Sequence, residues 1–153
     1  MLSVDSLERG VVIDHIQAGR SMQIYQLLNL DDLDCCVAVI KNVKSNRMGR
    51  KDIIKIEDRI DADLEAIGFI DPNITVNIID QGTIIQKKKL KLPERVRNII
   101  RCRNPRCITS VERDLPHEFV LTDPERGVYR CCYCEQEADM PGRRKRHRHS
   151  LGQ

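Results

Sequence analysis

Four of the seven cysteines fall into two close pairs in the last third of the chain. Cys102 and Cys107 are separated by four residues, Cys131 and Cys134 by two, and 23 residues lie between the pairs. Tetrahedral zinc takes four soft ligands, and two tight knuckles on separate hairpins are the usual way to present them. The spacing therefore predicts one structural Zn²⁺ held by Cys102, Cys107, Cys131 and Cys134. With thiolate at every position, no coordination site stays open to water or substrate, so such a metal holds a fold together and does not catalyse.

Three cysteines remain. Cys132 would leave a single spacer before Cys134, too tight for a zinc knuckle, so Cys131 is the expected ligand. Cys35 and Cys36 adjoin each other in an apolar run, where free cysteine behaves as a small hydrophobe. An odd count, no signal peptide and metal-type spacing argue against a disulfide framework. No apolar stretch approaches the length of a membrane span. A soluble, cytoplasmic protein is expected.

Charged residues make up 32% of the 153 positions and aromatics 3%, with no Trp. The net charge of +3 is misleading, because Arg143, Arg144, Lys145, Arg146 and Arg148 form a terminal cluster with no acidic residue after it. Without those five, 21 basic residues face 23 acidic ones. The body is not a generic nucleic-acid binder, and the tail after Pro141-Gly142 reads as a solvated, disordered end dispensable for binding.

The first ninety residues alternate strand and helix signals. Val11 to Ile16 is a β-branched run after Gly10. Ser21 offers an N-cap, followed by Ile24, Tyr25, Leu27 and Leu28 at helical spacing. Cys36 to Val43 and Lys51 to Glu57 read as strands around a Ser/Asn/Gly break. In the second of these, Ile54 and Ile56 share one face, and Lys51, Ile53 and Lys55 the other. Asp61 is expected to cap a short helix carrying Leu64 and Ile67 and closed by Gly68. Thr75 to Ile79 and Thr83 to Gln86 flank the turn Asp80-Gln81-Gly82.

This order is the split βαβ, ferredoxin-like βαββαβ pattern, with one extra hairpin strand. The expected fold class is α+β: that domain over residues 1–92, a small all-β zinc domain over 93–142, and a basic tail over 143–153. Leu92-Pro93-Glu94-Arg95 reads as the linker. The second domain is too small to hold a core unaided, which fits a metal staple.

Several polar residues intrude on the apolar strands. Lys51 and Lys55 project from one side, and Lys87 heads the run Lys87-Lys88-Lys89. Three ammonium groups converging across a sheet would suit a multiply charged phosphate ester, although paired lysines on a solvated face are commoner. Asp14, His15 and Asn77 could meet a sugar hydroxyl or base edge.

Five islands then occur in order: Arg9-Gly10 followed by Val12 to Ile16 (VIDHI), Met48 to Glu57 (MGRKDIIKIE), Thr75-Val76-Asn77, Leu92 to Arg95 (LPER), and the spaced cysteines. With them the chain, apart from its tail, resembles the regulatory chain of aspartate carbamoyltransferase, a non-catalytic subunit in pyrimidine biosynthesis. The resemblance implies an N-terminal allosteric domain that binds nucleoside triphosphates, CTP inhibiting and ATP activating, and that pairs with a second copy through its sheet. It also implies a zinc domain docked on the catalytic chain, with six of each chain in the holoenzyme.

Carried over by position, Val4, Asp5, Leu7 and Val12 would line the base. Asp14 and His15 would meet the sugar and phosphate region. Lys51 and Lys55 would hold base or sugar and phosphate groups, and Lys87 the triphosphate, with Asn77, Ile79 and Ile84 completing the pocket. Asn104, Arg106 and Glu135 would touch the catalytic chain, Arg106 standing where the family has asparagine. Gly82 occupies a turn position that is often aromatic in the family, so no stacking contact is carried onto it. Asp5 replaces a glutamate, and Cys132 a lysine.

Two other functions compete. A zinc-ribbon nucleic-acid protein would use the metal and the basic tail, but lacks the aromatics on which single strands stack. A thiol redox enzyme using Cys131 and Cys134 conflicts with the second cysteine pair, which would keep the thiolates metal-bound. No nucleophile–base constellation suggests catalysis by this chain.

Overall fold

A computed structural model describes residues 4–59 and 64–139. Asp61 and the basic tail lie outside the described residues. The chain divides into two compact units between Val96 and Arg97.

The first unit is a five-stranded antiparallel sheet in the order β2-β3-β1-β4-β5. Its strands are β1 (Gly10–Gln17), β2 (Val37–Ser45), β3 (Gly49–Ile56), β4 (Thr75–Asp80) and β5 (Thr83–Lys89). Helix α1 (Ser21–Leu27) follows β1, and a 3-10 turn (Leu64–Ala66) running into α2 (Ile67–Ile70) precedes β4. The mixed fold with antiparallel sheets and few helices matches the expected class, and β5 is the additional hairpin strand.

One face of this sheet makes the core. Val11, Ile13 and Ile16 of β1, Ile54 and Ile56 of β3 and Val76 of β4 pack with Ile24, Leu28, Leu30, Ile67 and Ile74. Period-2 alternation leaves Val12, Asp14, Lys51, Ile53, Lys55, Asn77 and Ile79 on the opposite face, all only partly buried.

Local details differ from the sequence reading. Ser21 is the first residue of α1, not its cap; Arg20 holds the cap position without a side-chain hydrogen bond. The helix start is served from β3 instead. Asp52 Oδ2 accepts the N–H groups of Gly19 (3.1 Å) and Ser21 (3.3 Å). Gly68 does not close its helix, which runs on to Ile70. A Cβ there would stand 2.2 Å from the Lys91 carbonyl oxygen, so close backbone approach explains this glycine. Gly10 is similar: its φ is +151°, and a Cβ would meet the Ile56 carbonyl at 2.0 Å. Strand β5 continues past Gln86 through the three lysines, because each pairs in register with β4.

A three-stranded sheet, β6-β7-β8, follows, its first strand straddling the division and the other two lying in the second unit. Strand β6 (Arg95–Arg97) begins inside the segment expected as linker, and β7 (Glu118–Asp123) and β8 (Val128–Cys131) form a hairpin. One helical turn, α3 (Ile108–Val111), is the only helix among the described residues of this unit. Its buried side chains are few, with Phe119 and Tyr129 the largest. So small a core cannot offset the cost of ordering the chain, and it calls for a cross-link.

Candidate functional site

The open face of the five-stranded sheet collects most residues singled out from the first domain. Lys55 opposes Val12 across β3 and β1, Val12 opposes Asn77 across β1 and β4, and Asn77 opposes Lys87 across β4 and β5. Cross-strand partners share a face, so these four form one row. Lys55 and Lys87 stand three strand spacings apart, about 14 Å along the sheet. A second row runs Gly10, Ile79, Ile84, with Ile84 exposed at the edge.

The lysines are held differently. Lys51 Nζ lies 2.9 Å from Asp14 Oδ1, both side chains largely buried, so each neutralises the other. Lys55 Nζ donates to the carbonyls of Val4 (3.4 Å) and Asp5 (3.3 Å), which lays the N-terminal segment beside the row. Val4 and Asp5 are exposed there, and Leu7 is half-buried. Lys87 has no carboxylate partner among the described residues and remains the available cation.

Asp14 and His15 sit in a β-bulge. Three steps of β1, from Ile13 to Ile16, span two steps of β3, from Ile54 to Asp52. His15 takes a left-handed φ of 59°, its N–H donates to Asp14 Oδ1 (2.6 Å), and its Nδ1 lies 3.3 Å from Thr75 Oγ1. Burial keeps the imidazole below its ordinary pKa; Asp14 opposes this, while Lys51, Arg47 and Lys87 reinforce it. Arg47, in the β2–β3 turn, was not singled out in the sequence.

The Asn77 side-chain oxygen is buried without a hydrogen-bond partner. A buried acceptor left unpaired costs about 1–3 kcal/mol. It lies mid-row, where a ligand N–H or O–H could satisfy it.

In the second unit, the sulfurs of Cys102, Cys107, Cys131 and Cys134 all lie within 4.8 Å of one another. The Cys102–Cys134 and Cys107–Cys131 separations are 3.5 and 3.7 Å. A tetrahedral ion with metal–sulfur bonds of about 2.3 Å has edges of about 3.8 Å. Donor type, number and spacing therefore fit a four-coordinate thiophilic metal. Cys132 stays outside the cluster, exposed, its N–H donating to the Glu118 carbonyl (3.0 Å).

Backbone turns present the thiols. The Cys107 N–H donates to the Asn104 carbonyl (3.0 Å), and the Cys131 N–H to that of Gln136 (3.0 Å). Without metal, burial and the neighbouring thiols push Cys102 up to about 12 and raise Cys131 as well. Cys134 comes down to about 7: burial opposes this but is outweighed by donors from Gln136 N–H, Asn104 and Cys102. Thr109, buried, places Oγ1 3.1 Å from Cys107 Sγ and can donate to a thiolate. His117 Nδ1 accepts the Cys102 N–H (3.3 Å). Neither residue was identified from sequence, although Thr109 stands two positions past a ligand.

Asn104, Arg106 and Glu135 occupy the knuckles. Asn104 Oδ1 accepts the Arg106 N–H (3.0 Å), Arg106 is exposed, and Glu135 adopts a left-handed φ of 65°.

A ferredoxin-like domain with a polar open face, followed by a domain whose four thiols can hold a metal, defines a two-domain binding protein. Two family models divide the chain: the allosteric domain of the aspartate carbamoyltransferase regulatory chain matches residues 2–91, and its metal binding domain residues 94–141. The chain belongs to the aspartate carbamoyltransferase regulatory chain family and is accordingly a non-catalytic subunit. Relatives bearing that name include proteins of Clostridium botulinum (50% identical over 136 residues, 89% of this chain and 93% of the relative) and Clostridium acetobutylicum (52%, with the same coverage). One from Bifidobacterium longum is 42% identical over 139 residues, 91% of this chain and all of the relative. No helix among the described residues is long and apolar enough to cross a membrane.

Proposed function

We propose that this chain binds a nucleoside triphosphate, CTP or ATP, on the open sheet face and biases the activity of a separate aspartate carbamoyltransferase catalytic chain in the cytoplasm. The carrying observation is the row Lys55–Val12–Asn77–Lys87 with a buried, unpaired amide oxygen at its middle. Lys87 takes the triphosphate as a point charge. Asp14 and His15 meet the sugar and its phosphates; Val4, Asp5, Leu7 and Val12 enclose the base; Ile79 and Ile84 close the far edge. Lys51 gives up part of its pairing with Asp14 to reach the ligand. Residues 1–92 carry this role, and a second copy pairs with them through the sheet.

Residues 93–142 form the docking domain. Zn²⁺ held by the four thiolates cross-links the two knuckles and offers no open position. The cross-link keeps Asn104, Arg106 and Glu135 in place for the catalytic chain. Regulation requires only that nucleotide bind two states of the assembly with different affinity. Of the five Phe and Tyr side chains, Phe69, Phe119 and Tyr129 are buried and only Tyr133 is substantially exposed, which disfavours a stacking platform for single strands.

The catalytic chain alone is expected to be active and indifferent to CTP and ATP. Adding this chain with zinc should make its aspartate saturation curve respond to nucleotide. A stable complex whose curve ignores every nucleotide would overturn the regulatory reading.

A further inference from the structure

We propose that the metal-binding unit carries a second small-molecule site, apart from the sheet face and the thiolate cluster, that takes a compact phosphate-bearing anion. A cavity of about 600 Å³ opens in this unit, within the size range of small-molecule pockets. Its walls are the segment around 97–101 and the loop 113–117 leading into β7. Three arginines, Arg97, Arg101 and Arg113, are among its lining residues against one acidic residue, Asp114. Arg97 is partly engaged, its Nε 3.5 Å from Glu118. Arg101 and Arg113 make no ion pair among the described residues. Uncommitted guanidinium forks in a concave site match the bidentate geometry of phosphate.

The walls are fastened to each other. The Asn98 N–H donates to the His117 carbonyl (2.7 Å), and the His117 N–H donates to Asn98 Oδ1 (2.9 Å). Asn98 turns through a left-handed φ of 57° to do so. His117, whose Nδ1 accepts the Cys102 N–H, also lines the cavity. Half-buried Ile99 and Leu115 supply apolar wall for the carbon body of an organic phosphate. Arg101 directly precedes the thiol Cys102, and His117 holds that residue's N–H. Occupancy of the cavity therefore bears on one corner of the metal cluster and slows metal loss.

Inorganic pyrophosphate is the probe, added to the zinc-loaded full-length chain at constant ionic strength with chloride as control. It should shift the amide resonances of Asn98, Arg101 and Arg113 and slow zinc transfer to a chromogenic chelator. Arg101→Gln with Arg113→Gln should weaken these effects at least tenfold while retaining one zinc per chain. Arg101→Lys with Arg113→Lys keeps the charge, loses the fork and should fall between. Lys87→Ala, which tests the sheet site, should leave both readouts unchanged, so the two sites fail separately. Chloride shifting the same amides equally, or no shift at millimolar pyrophosphate, would overturn the proposal. So would loss of the pyrophosphate shifts on assembly with the catalytic chain, which would assign the cavity to that chain.

Discussion

Asp52 is a fully buried carboxylate whose removal should unfasten the sheet from its helix. It faces two irregularities: the bulge of β1 between Ile13 and Ile16, and that of β2 between Ile40 and Val43, where Asn42 has a φ of 61°. Oδ1 accepts the Asn42 N–H at 2.8 Å, and Oδ2 accepts those of Gly19 and Ser21. Each N–H stranded by Asp52→Ala costs about 1–3 kcal/mol. The three share one carboxylate and do not add fully, giving a loss of about 3–5 kcal/mol. Against a domain stability of about 5–15 kcal/mol, that is close to unfolding. Hydrogen exchange at the core amides of Ile13 and Ile54 reads the first unit without interference from the second. Burial alone would raise the Asp52 pKa, but the hydrogen bonds from Asn42, Ser21 and Gly19 prevail and hold it below the ordinary value. A depressed folded-state pKa means stabilisation present above the unfolded value of about 3.9 and lost as pH falls through the folded one. Asp52→Asn should flatten that acid limb. A loss below about 1 kcal/mol for Asp52→Ala, with an unchanged acid limb, would refute the reasoning.

The remaining expectations concern the two candidate sites. Lys87→Ala should weaken CTP binding about tenfold or more in calorimetry and leave cytidine binding nearly unchanged, since a charge-assisted contact is worth about 1.5–3 kcal/mol. Lys88→Ala is the control, because Lys88 opposes Val76 on the core face. His15, held below its ordinary pKa in the free site, should gain a proton when a triphosphate binds, because nearby negative charge favours the imidazolium, so CTP affinity should rise as pH drops from about 7.5 toward about 6. Calorimetry in buffers of different ionisation enthalpy should detect the uptake, and His15→Gln should abolish it. Metal removal should abolish slow hydrogen exchange at Phe119 and Tyr129 while Ile13 and Ile54 remain protected. Protection unchanged at all four would show that the second unit holds without its ion.

Much of this was legible because strand parity is simple. Ile54 and Ile56 marked the core face of β3, which put Lys51 and Lys55 on the other. The cysteine spacing marked the thiol cluster, since few arrangements of such pairs are compatible with a fold. Asp52 went unread although its signal was present: a charged residue at the same parity as Ile54 and Ile56 is a polar group in a core position. The bulges were hidden because they depend on pairing partners far along the chain. Ser21 resembled a cap because caps are usually local, whereas here the acceptor came from another strand. Gly68 resembled a helix stop because its true constraint is the distant Lys91 carbonyl. The cavity between 97–101 and 113–117 was equally invisible, since its arginines converge only after β6 and β7 pair.

The bulge in β1 separates what the sheet needs from what the site needs. With His15 taken out, Val11, Ile13 and Ile16 would alternate without interruption, and Ile16 would still oppose Asp52. The chain therefore carries one residue more than its architecture uses, in a backbone conformation that non-glycine residues disfavour. Deleting His15, rather than replacing it, should yield a regular and more stable strand that no longer binds the proposed nucleotide. On the proposed nucleotide reading, single-codon loss at this point is a route by which regulation could decay without unfolding the protein, and relatives shortened here should be the ones whose partner enzyme does not respond to nucleotide.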